Sequence, residues 1–263
     1  MTPETTGIVV VRVTEGVHWH ALEDDVVVGR GHALHRPDGR VFVSVDTWRD
    51  DVFEVVARAM AADLGGPVFT IVDEDDREHL GRWSGLGFRD NRREDEFLVS
   101  TDPAATGLAD AAPPPGYALV TADAADEDRL RDLDQRLRRD VPGSAGWVST
   151  REQFRSETYD PRWFDPATYL VALDTSAPGD GYAGLVRIWR GRRVPRLGLV
   201  GVLPEHRRRG LARGLLAAAF RPLHERGLGQ VSAEVDQSNT AAQALLRGLG
   251  ATRTGGAIEL VRR

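Results

Sequence analysis

Three consecutive arginines followed by a glycine form the segment of this sequence best suited to chemistry. Arg207, Arg208 and Arg209 precede Gly210, and apolar side chains recur at helical spacing from Leu211 onward. The first N–H groups of a helix have no partner within the helix and carry the positive end of its dipole, so they bind anions. Guanidinium groups add forked, charge-assisted hydrogen bonds to phosphate. The segment therefore predicts a phosphate-binding turn.

An apolar run before this turn predicts the strand that leads into it. Val200, Gly201 and Val202 have the composition of a buried strand, and Gly210 allows the backbone to approach a ligand closely. A strand, a turn and a helix in this order suit a nucleotide diphosphate. An exposed helix start without a ligand is the alternative interpretation.

A second pattern, downstream of the first, begins at Asn239. Ala242, Leu245 and Gly250 follow it at intervals of three, three and five residues. Asn is also favoured at the start of a helix, where its side chain caps a free N–H group. Because capping and contact with a ligand are compatible, the pattern predicts a helix start that could serve both purposes.

Together the two patterns resemble the signature motifs of the GNAT superfamily of N-acyltransferases. Arg207, Gly210 and Ala212 match its pyrophosphate motif, in which Arg or Gln is followed by two residues, Gly, one residue, and Gly or Ala. The resemblance implies direct transfer of an acetyl group from acetyl-CoA to a primary amine, of a small molecule or of a peptide. It also implies that acetyl-CoA is held by Val200, Gly201, Val202, Arg207, Arg208, Arg209, Gly210, Leu211, Ala212, Arg213 and Asn239.

The resemblance further implies candidates for the proton transfers. Glu234 lies on the strand before Asn239, where some members carry a Glu that accepts the amine proton through water; a salt bridge is the other interpretation. The family's usual Tyr after Leu245 is Leu246 here, which cannot donate a proton. Unassisted departure of the thiolate and loss of catalysis stay open. The catalytic candidates are Glu234 as base and Tyr169 or Tyr182 as acid, with Tyr159 as a further tyrosine of this region.

The acceptor pocket of this family is built by the first two helices and the loop between them. Residues 138–165 are rich in aromatic and acidic side chains, which suit a cationic amine with an apolar body. An ordinary helix core with a solvated acidic face is an equally good interpretation. The side chains are Trp147, Phe154, Tyr159, Trp163 and Phe164, with Glu152, Glu157 and Asp160.

Composition excludes several other mechanisms. All 34 basic residues are Arg, so no lysine is available for a Walker-type phosphate site, a Schiff base or a kinase active site. No cysteine occurs, which excludes disulfides, thiolate nucleophiles and cysteine metal sites. The net charge of -6 argues against a partner that is nucleic acid.

Metal binding and membrane insertion are not expected. His18 and His20 share one face of a strand and could hold a metal, but surface histidines are more common and no third ligand is evident. No apolar run reaches the roughly 18 residues of a membrane helix, and the first residues lack the features of a leader peptide. We expect a cytoplasmic protein.

A proline-rich segment predicts a division into two domains. Residues 101–116, which include Pro113, Pro114 and Pro115, indicate a stiff, extended linker. We expect an α/β (α+β) fold with two GNAT-like domains, 1–100 and 117–263, each a mixed, mostly antiparallel sheet flanked by helices. In the second domain we expect strands at Tyr117–Thr121, Tyr169–Leu173, Gly184–Trp189, up to Val202, Gln230–Val235 and Ala257–Val261, a turn at Gly179–Gly181, and helices at Glu127–Arg139, Ser149–Tyr159, Leu211–Arg226 and Thr240–Arg247.

The N-terminal domain is expected to be a degenerate copy of the second. Without gaps, residues 68–73 align with 231–236, and Asp76 takes the place of Asn239. Residues 46–51 carry carboxylates where the phosphate turn would lie, and these would repel a pyrophosphate. Only the second domain is therefore expected to bind CoA, and the first to serve packing, a shared pocket wall or a homodimer. We expect its strands at 18–22, 26–34 and 40–45 and its helix at 52–62.

These observations predict an acetyl-CoA-dependent N-acetyltransferase. The alternative is a non-catalytic protein that binds acyl-CoA or another protein. Glu234 favours the enzyme and Leu246 favours the alternative.

Overall fold

Two compact units make up the chain. The computed structural model describes residues 7–13, 17–144, 146–176, 181–191 and 193–263. Unit 1 comprises Met1–Arg93 together with Gly256–Arg263, and unit 2 comprises Glu94–Gly255. The boundaries therefore differ from the predicted division at residues 101–116, which lie inside unit 2.

Unit 1 is a mixed sheet that carries two helices. The helices are α1 (Asp50–Leu64) and α2 (Arg77–Gly85), and the strands are β1 (Val9–Val13), β2 (His18–Glu23), β3 (Val26–His35), β4 (Val41–Asp46), β5 (Val68–Asp73) and, from residue 256 onward, β12 (Thr252–Arg262). The strand order is β1-β2-β3-β4-β5-β12. Neighbouring strands are antiparallel except β4 and β5, which are parallel.

The core of unit 1 follows the periodicity of its elements. Trp19 and Ala21 alternate with more exposed residues on β2, and both are fully buried. Val52, Val56 and Met60 recur at every fourth position of α1 and form its buried stripe. The indole N–H of Trp19 donates to Asp63 at 2.7 Å, so the buried ring keeps a hydrogen-bond partner.

Unit 2 has a mixed sheet with helices on both faces. Its helices are α3 (Pro103–Thr106), α4 (Glu127–Arg138), α5 (Arg151–Thr158), α6 (Leu211–Glu225) and α7 (Thr240–Gly248), and its strands are β6 (Arg89–Ser100, within unit 2 from Glu94), β7 (Tyr117–Thr121), β8 (Tyr169–Asp174), β9 (Gly181–Trp189), β10 (Arg196–Val202) and β11 (Gln230–Asp236). The order is β6-β11-β10-β9-β8-β7, with only β10 and β11 parallel.

Alternate residues of the unit 2 strands point to opposite faces of the sheet and pack into two separate cores. Val186 and Ile188 pack with α6 on one face, and Leu185 packs with α4 and α5 on the other. Leu108, from the predicted linker, is also buried in the core that contains α6. The segment 101–116 is thus a packed part of unit 2, with one helical turn at α3, and differs from an extended connector.

Each unit takes its last strand from the other half of the sequence. Residues 257–262 of β12 pair with β5, and residues 94–100 of β6 pair with β11. A simple tandem repeat would pair β6 with β5 and β12 with β11. This exchange is the physical reason why the compact units do not follow the predicted boundaries.

The predicted elements agree closely with the structure. The strand Tyr117–Thr121 has its predicted bounds, and the other predicted strands and helices are found with ends shifted by a few residues. The mixed, mostly antiparallel sheets confirm the predicted fold class. Strands β1 and β6 were not predicted, and of the turn expected at Gly179–Gly181 only Gly181 lies within the described residues.

The internal repeat is visible in the two units. In each, a strand runs parallel to the next strand for only two residue pairs, Val41–Phe42 with Val68–Phe69 and Arg196–Leu197 with Ser232–Ala233. The helices α2 and α7 have nine residues each. Their starts are capped by Asp76 and Asn239, as the alignment predicts.

Candidate active site

The turn between β10 and α6 has the geometry of an anion site. Gly210 stands at the start of α6 with φ +88°, a conformation that favours glycine. No side chain caps the helix, and the first helical bond runs from the Gly214 N–H to the Gly210 carbonyl. The preceding amides of the first turn therefore have no helical partner and are available to an anion.

The arginines of the turn have different environments. Arg207 pairs with Asp140 at 2.5 Å and donates to the Val202 carbonyl at 2.9 Å. Arg209 donates to the Glu205 carbonyl at 3.0 Å and to the Tyr117 hydroxyl at 3.2 Å. Arg208 is exposed and makes no hydrogen bond or ion pair within the described part of the chain.

Arg213, the last arginine of the predicted set, lies one helical turn further on. It donates to the Gly107 carbonyl of the segment that precedes β7. Of the four guanidinium groups, that of Arg208 is the one with no hydrogen bond or ion pair in the described residues, and the other three keep N–H donors that their present bonds do not use.

Strand β10 has an edge that is not paired with β11 beyond Leu197, and we call this unpaired edge the groove. The two strands pair only at Arg196–Leu197, so no β11 residue pairs with Val200, Gly201 or Val202 in the described structure. These three residues stay fixed on their other side by pairing with β9. Unpaired strand edges accept extended ligands through backbone hydrogen bonds.

Helix α4 packs closely on β10 because position 201 is glycine. A Cβ atom placed on Gly201 would lie 3.1 Å from both Cδ atoms of Leu137. The absence of a side chain thus brings α4 close to β10. The same helix carries Asp134 and Arg138, which become relevant below.

Glu234, the predicted base, is found in an ion pair. Its carboxylate accepts two hydrogen bonds from Arg196, one of them from Nε at 2.9 Å. The side chain is about one third exposed, and it lies opposite Glu96 of β6. The salt-bridge interpretation therefore describes the resting structure, and the catalytic role of Glu234 remains a prediction.

The predicted tyrosine acids differ in what their hydroxyl groups contact. The Tyr182 hydroxyl accepts from the Asp126 N–H at 2.8 Å, and the Tyr159 hydroxyl donates to the Ala122 carbonyl at 3.2 Å. The Tyr169 hydroxyl is buried and has no partner. Burial raises the pKa of Tyr169 above its ordinary value, so this hydroxyl stays protonated and can donate a hydrogen bond.

Charged residues around Tyr169 form a buried network that the sequence analysis missed. Asp134 accepts from Arg138 Nε at 2.6 Å and lies 3.5 Å from Arg187 Nη1. Arg187 also lies over the rings of Tyr169 and Trp189. Burial, followed by the charge of Arg187, lowers the pKa of Arg138. The signals available were an Asp on the apolar side of α4 and an Arg within the apolar run of β9.

The side chains predicted to form the acceptor pocket are only partly brought together. Phe154 is a core residue, and Trp147 packs against Arg138 with 4.6 Å between the guanidinium and the ring. Asp160 is engaged by Arg162 at 2.6 Å, and Glu152 is exposed. Glu157 is the predicted carboxylate whose charge acts on the buried network around Asp134.

Comparison with known proteins decides the family. Residues 132–251 match the model of the acetyltransferase (GNAT) family. A mycothiol acetyltransferase of Salinispora arenicola is 30% identical over 215 residues, which cover 78% of this chain and 66% of the relative. Another, of Thermobispora bispora, is 34% identical over 57% of this chain and 52% of its own length. The chain belongs to the GNAT acetyltransferase family.

Solved GNAT structures share the fold. A GCN5-related N-acetyltransferase from Sphaerobacter thermophilus covers 95% of this chain and 82% of its own, with a TM-score of 0.69 and 18% identity. A tandem GNAT protein from the clavulanic acid biosynthesis pathway covers 93% and 82%, with a TM-score of 0.71 and 18% identity. These likenesses confirm the predicted fold. The chain spans only about half to two thirds of the curated relatives above.

Within the described residues, the loop before α1 in unit 1 is shorter than the loop before α6 in unit 2 and differs from it in charge. Three residues, 47–49, join β4 to α1, whereas eight, 203–210, join β10 to α6. Arg49, at the start of α1, is paired with Glu23 and Asp51, and Asp50 and Asp51 are acidic residues of the first turn. This carboxylate-rich turn agrees with the expectation that the first unit does not hold CoA, which remains a proposal.

Two further expectations from the sequence concern metal binding and membrane insertion. In the described residues, no group of three or more His, Asp or Glu side chains could hold a metal ion. His18 lies opposite His32 on the neighbouring strand, with 4.8 Å between ring centroids. Across the same residues, no helix has the length and apolar character needed to span a membrane.

Helix α7 of the second GNAT motif is tied to the sheet by Asp95. Asn239 caps the helix by accepting from the Ala242 N–H at 3.1 Å. Asp95 on β6 accepts from Gln243 at 3.0 Å and from Arg253 at 2.8 Å. Burial raises the pKa of Asp95, but hydrogen bonds led by that from Arg253 outweigh it, so the pKa is lowered overall.

We expect the stabilising effect of Asp95 to depend on pH. The Asp95→Asn variant should lose about 1.5–3 kcal/mol at pH 7, the range for hydrogen bonds to charged groups. Because the folded pKa is below the unfolded value of about 3.9, the contribution is complete above that value and is lost as pH falls through the folded pKa. Urea unfolding of both proteins at pH 7 and at pH 3 measures the difference. A Glu152→Gln control should show none, and an equal loss at both pH values would contradict the prediction.

Proposed function

We propose that this protein transfers an acetyl group from acetyl-CoA to the primary amine of a small molecule. The observation that carries the proposal is the uncapped start of α6 at Gly210, placed beside the groove along β10. An anion-binding helix start next to an unpaired strand edge suits a ligand with a diphosphate at one end and an extended arm at the other.

Three parts of the chain are proposed to hold acetyl-CoA. The amides of Gly210–Arg213 and the guanidinium of Arg208 would hold the diphosphate, and the backbone of Val200–Val202 would hold the pantetheine arm. Asn239, which caps α7, is retained as a further contact. Acetyl-CoA supplies the thioester carbonyl that the amine attacks, with release of CoA as thiolate. Positioning of the two reactants alone can contribute roughly 7–11 kcal/mol.

The acceptor proposal draws on the relatives. The two similar proteins from Salinispora arenicola and Thermobispora bispora are called mycothiol acetyltransferases. We therefore propose that the acceptor of this chain is also a small molecule, and that its amine nitrogen receives the acetyl group.

Two side chains are proposed for the proton transfers. Glu234 would accept the proton of the acceptor ammonium through water, after exchange of its bond to Arg196. Tyr169 is retained as hydrogen-bond donor to the departing sulfur because its hydroxyl has no other partner. Tyr182 is the weaker candidate, since its hydroxyl already accepts the Asp126 N–H. Leu246, at the family's usual Tyr position, is 2% exposed and belongs to the core.

A turnover assay tests the proposal and the base together. Release of CoA from acetyl-CoA should depend on added primary amine, and Glu234→Gln should lower kcat by about 100-fold or more, as for loss of a general base. Glu96→Gln is the matched control, because Glu96 is the direct cross-strand neighbour of Glu234. It should leave kcat within about twofold of the wild type, since an exposed carboxylate outside the reaction makes little difference.

Two outcomes would contradict these assignments. If no amine raises CoA release above background, the non-catalytic alternative replaces the enzyme. If Glu234→Gln and Glu96→Gln have equal effects on an active enzyme, Glu234 is not the base.

A further inference from the structure

Arg208 has a backbone conformation that is unusual for a residue with a long side chain. It lies in the loop 203–210 between β10 and α6, which we call the phosphate loop, and its φ is +62°. This left-handed conformation is strained for residues other than glycine. Among the described residues, Asp24 and Asp25 also have positive φ, but aspartate tolerates it better. Such strain persists only where the surrounding structure fixes it, and it is concentrated at ligand sites.

The residues on both sides of Arg208 are anchored by hydrogen bonds. Arg207 Nε donates to the Val202 carbonyl at 2.9 Å, a bond within the same stretch of chain. Arg209 Nη1 donates to the Tyr117 hydroxyl at 3.2 Å, across 92 positions of the sequence. The second bond ties the phosphate loop to β7. Arg208 therefore lies between two neighbours that are held in place.

The Tyr117 hydroxyl also contacts a second residue of the phosphate loop. It lies 2.9 Å from His206 Nδ1, and the two rings meet edge to face with 5.7 Å between their centroids. A guanidinium can only donate, so the hydroxyl oxygen accepts from Arg209 and its own proton is donated to His206. Nδ1 is therefore the acceptor, and the neutral imidazole carries its proton on Nε2. We call Tyr117, His206 and Arg209 the Tyr117 network.

The hydrogen bonds of the Tyr117 network form a closed ring around Arg208. Arg209 Nη2 also donates to the Glu205 carbonyl at 3.0 Å, and Glu205 directly precedes His206. The ring thus runs from Glu205 through Arg209 and Tyr117 to His206 and is completed by the backbone. Because Arg208 is joined directly to Arg209, relaxation of its φ would displace Arg209 and break one of these bonds.

The Tyr117 network is supported by the sheet of unit 2. Tyr117 packs against the core that contains α6, and the His206 side chain is 15% exposed. Asp174, at the end of β8, lies 3.9 Å from His206 Nδ1, beyond hydrogen-bond distance. Asp174 and Glu205 are the two carboxylates on which the charge of His206 acts. The hydrogen bond of His206 to Tyr117 is therefore its direct link to the sheet.

We propose that Tyr117 and His206 are positioning residues for the diphosphate of acetyl-CoA. They hold the phosphate loop with Arg208 in its left-handed conformation, next to the free amides at the start of α6. The inference rests on the proposed acetyl transfer and adds to its cofactor site a residue of β7, outside the phosphate turn. A loop that already has its binding conformation loses less freedom when the ligand binds. Loss of the network should therefore weaken binding of the diphosphate and leave the chemical step unchanged.

Two acetyl donors separate positioning from general support of the fold. Acetyl-CoA contains the diphosphate, whereas S-acetylpantetheine has the same thioester and arm without it. Tyr117→Phe removes both hydrogen bonds and keeps the ring. It should raise KM for acetyl-CoA about tenfold, as for loss of two ordinary hydrogen bonds, with kcat unchanged. The kcat/KM for S-acetylpantetheine should stay the same. Equal losses with both donors would overturn the positioning role.

Two substitutions of His206 test its hydrogen bond to Tyr117. His206→Phe keeps a ring without an acceptor, and it should raise KM for acetyl-CoA as much as Tyr117→Phe. His206→Asn places an amide oxygen near the position of Nδ1 and should stay within about threefold of the wild type. Ser176→Ala is the control, because the exposed Ser176 hydroxyl donates to the other oxygen of Asp174. It should leave this KM unchanged. Equal losses in His206→Asn and His206→Phe would contradict the assignment.

Substitutions of Arg208 measure the strain that the network maintains. Arg208→Gly and Arg208→Ala both remove the guanidinium, but only glycine adopts a φ of +62° without strain. The Tm of Arg208→Gly should be about 2–4 °C higher than that of Arg208→Ala. In the Tyr117→Phe background this difference should fall below about 1 °C, since residue 208 can then leave the left-handed region. An undiminished difference would show that the network does not hold Arg208.

Calorimetry with CoA separates this inference from the proposed function. Binding that weakens about tenfold in Tyr117→Phe, in a protein that acetylates no amine, would sustain the network and contradict the enzyme. Acetyl transfer with the same KM for acetyl-CoA in the wild type and in Tyr117→Phe would sustain the enzyme and contradict the network. If CoA does not bind the wild type, both are overturned.

Discussion

Replacement of Gly210 by glutamate is expected to abolish acetyl-CoA binding, with Kd raised by more than about 100-fold. Gly210 lies where the uncapped amides of α6 point, so the new carboxylate would occupy the anion site and repel a diphosphate. Loss of two charge-assisted hydrogen bonds alone corresponds to about 3 kcal/mol, or roughly 100-fold in affinity. Isothermal titration calorimetry with acetyl-CoA measures the change.

Gly227 offers a matched control on the same helix. It follows the C-terminal end of α6 with φ +77°, close to the +88° of Gly210, and a Cβ at either position would meet nothing within 4 Å. Gly227→Glu therefore introduces the same strain and the same charge away from the amides, and acetyl-CoA affinity should be retained. Gly210→Ala separates strain from charge and should weaken binding less than the glutamate. Undiminished affinity in Gly210→Glu would place CoA elsewhere.

The phosphate turn could be predicted from sequence because its determinants are local. A strand, a glycine and a helix start within fifteen residues fix the backbone, and each has a recognisable residue type. The partners of its arginines could not be predicted. Asp140, which engages Arg207, is 67 residues away in sequence, and that contact depends on where α4 ends.

The exchange of last strands could not be predicted because the repeat makes two partners equivalent. Residues 68–72 and 231–235 alternate buried and more exposed positions in the same way, so β6 and β12 can extend either sheet. Hydrophobic alternation specifies which face of a strand is buried. It does not determine whether that strand pairs with β5 or with β11 when both have the same alternation. The choice depends on specific polar contacts, such as that of Asp95 with Gln243.

The buried network at Asp134 could be predicted from the sequence only in part. Asp134 follows Leu130 by four positions and precedes Leu137 by three, which places it on the apolar stripe of α4. A charge on such a stripe indicates a buried partner. The identity of that partner, Arg187, depends on the packing of α4 on β9 and is not encoded in any local pattern.

Glu259 shows how strongly unit 1 depends on the last residues of the chain. Its side chain is 1% exposed, although it lies on β12, which pairs with β5. The carboxylate accepts from Arg40 at 3.1 Å, from Asn91 at 2.6 Å and from Arg92 at 2.8 Å. It therefore accepts hydrogen bonds from two guanidinium groups and one amide of unit 1, and Arg40 is also paired with Asp38 at 2.8 Å.

We expect Glu259→Gln to destabilise unit 1 by about 3 kcal/mol, the lower end of the range for removal of one partner of a buried ion pair. Arg40 and Arg92 lose the buried carboxylate, but Arg40 keeps its pair with Asp38. Urea unfolding measures the loss, and hydrogen exchange of the β5 amides assigns it to unit 1. Glu54→Gln is the control, since Glu54 and Arg58 form an exposed pair on α1 at 3.6 Å, both about 60% exposed; it should cost less than about 1 kcal/mol. If the two variants lose equal stability, the buried carboxylate does not hold the last strand in the sheet, and apolar packing of Ile258 and Leu260 accounts for its place there.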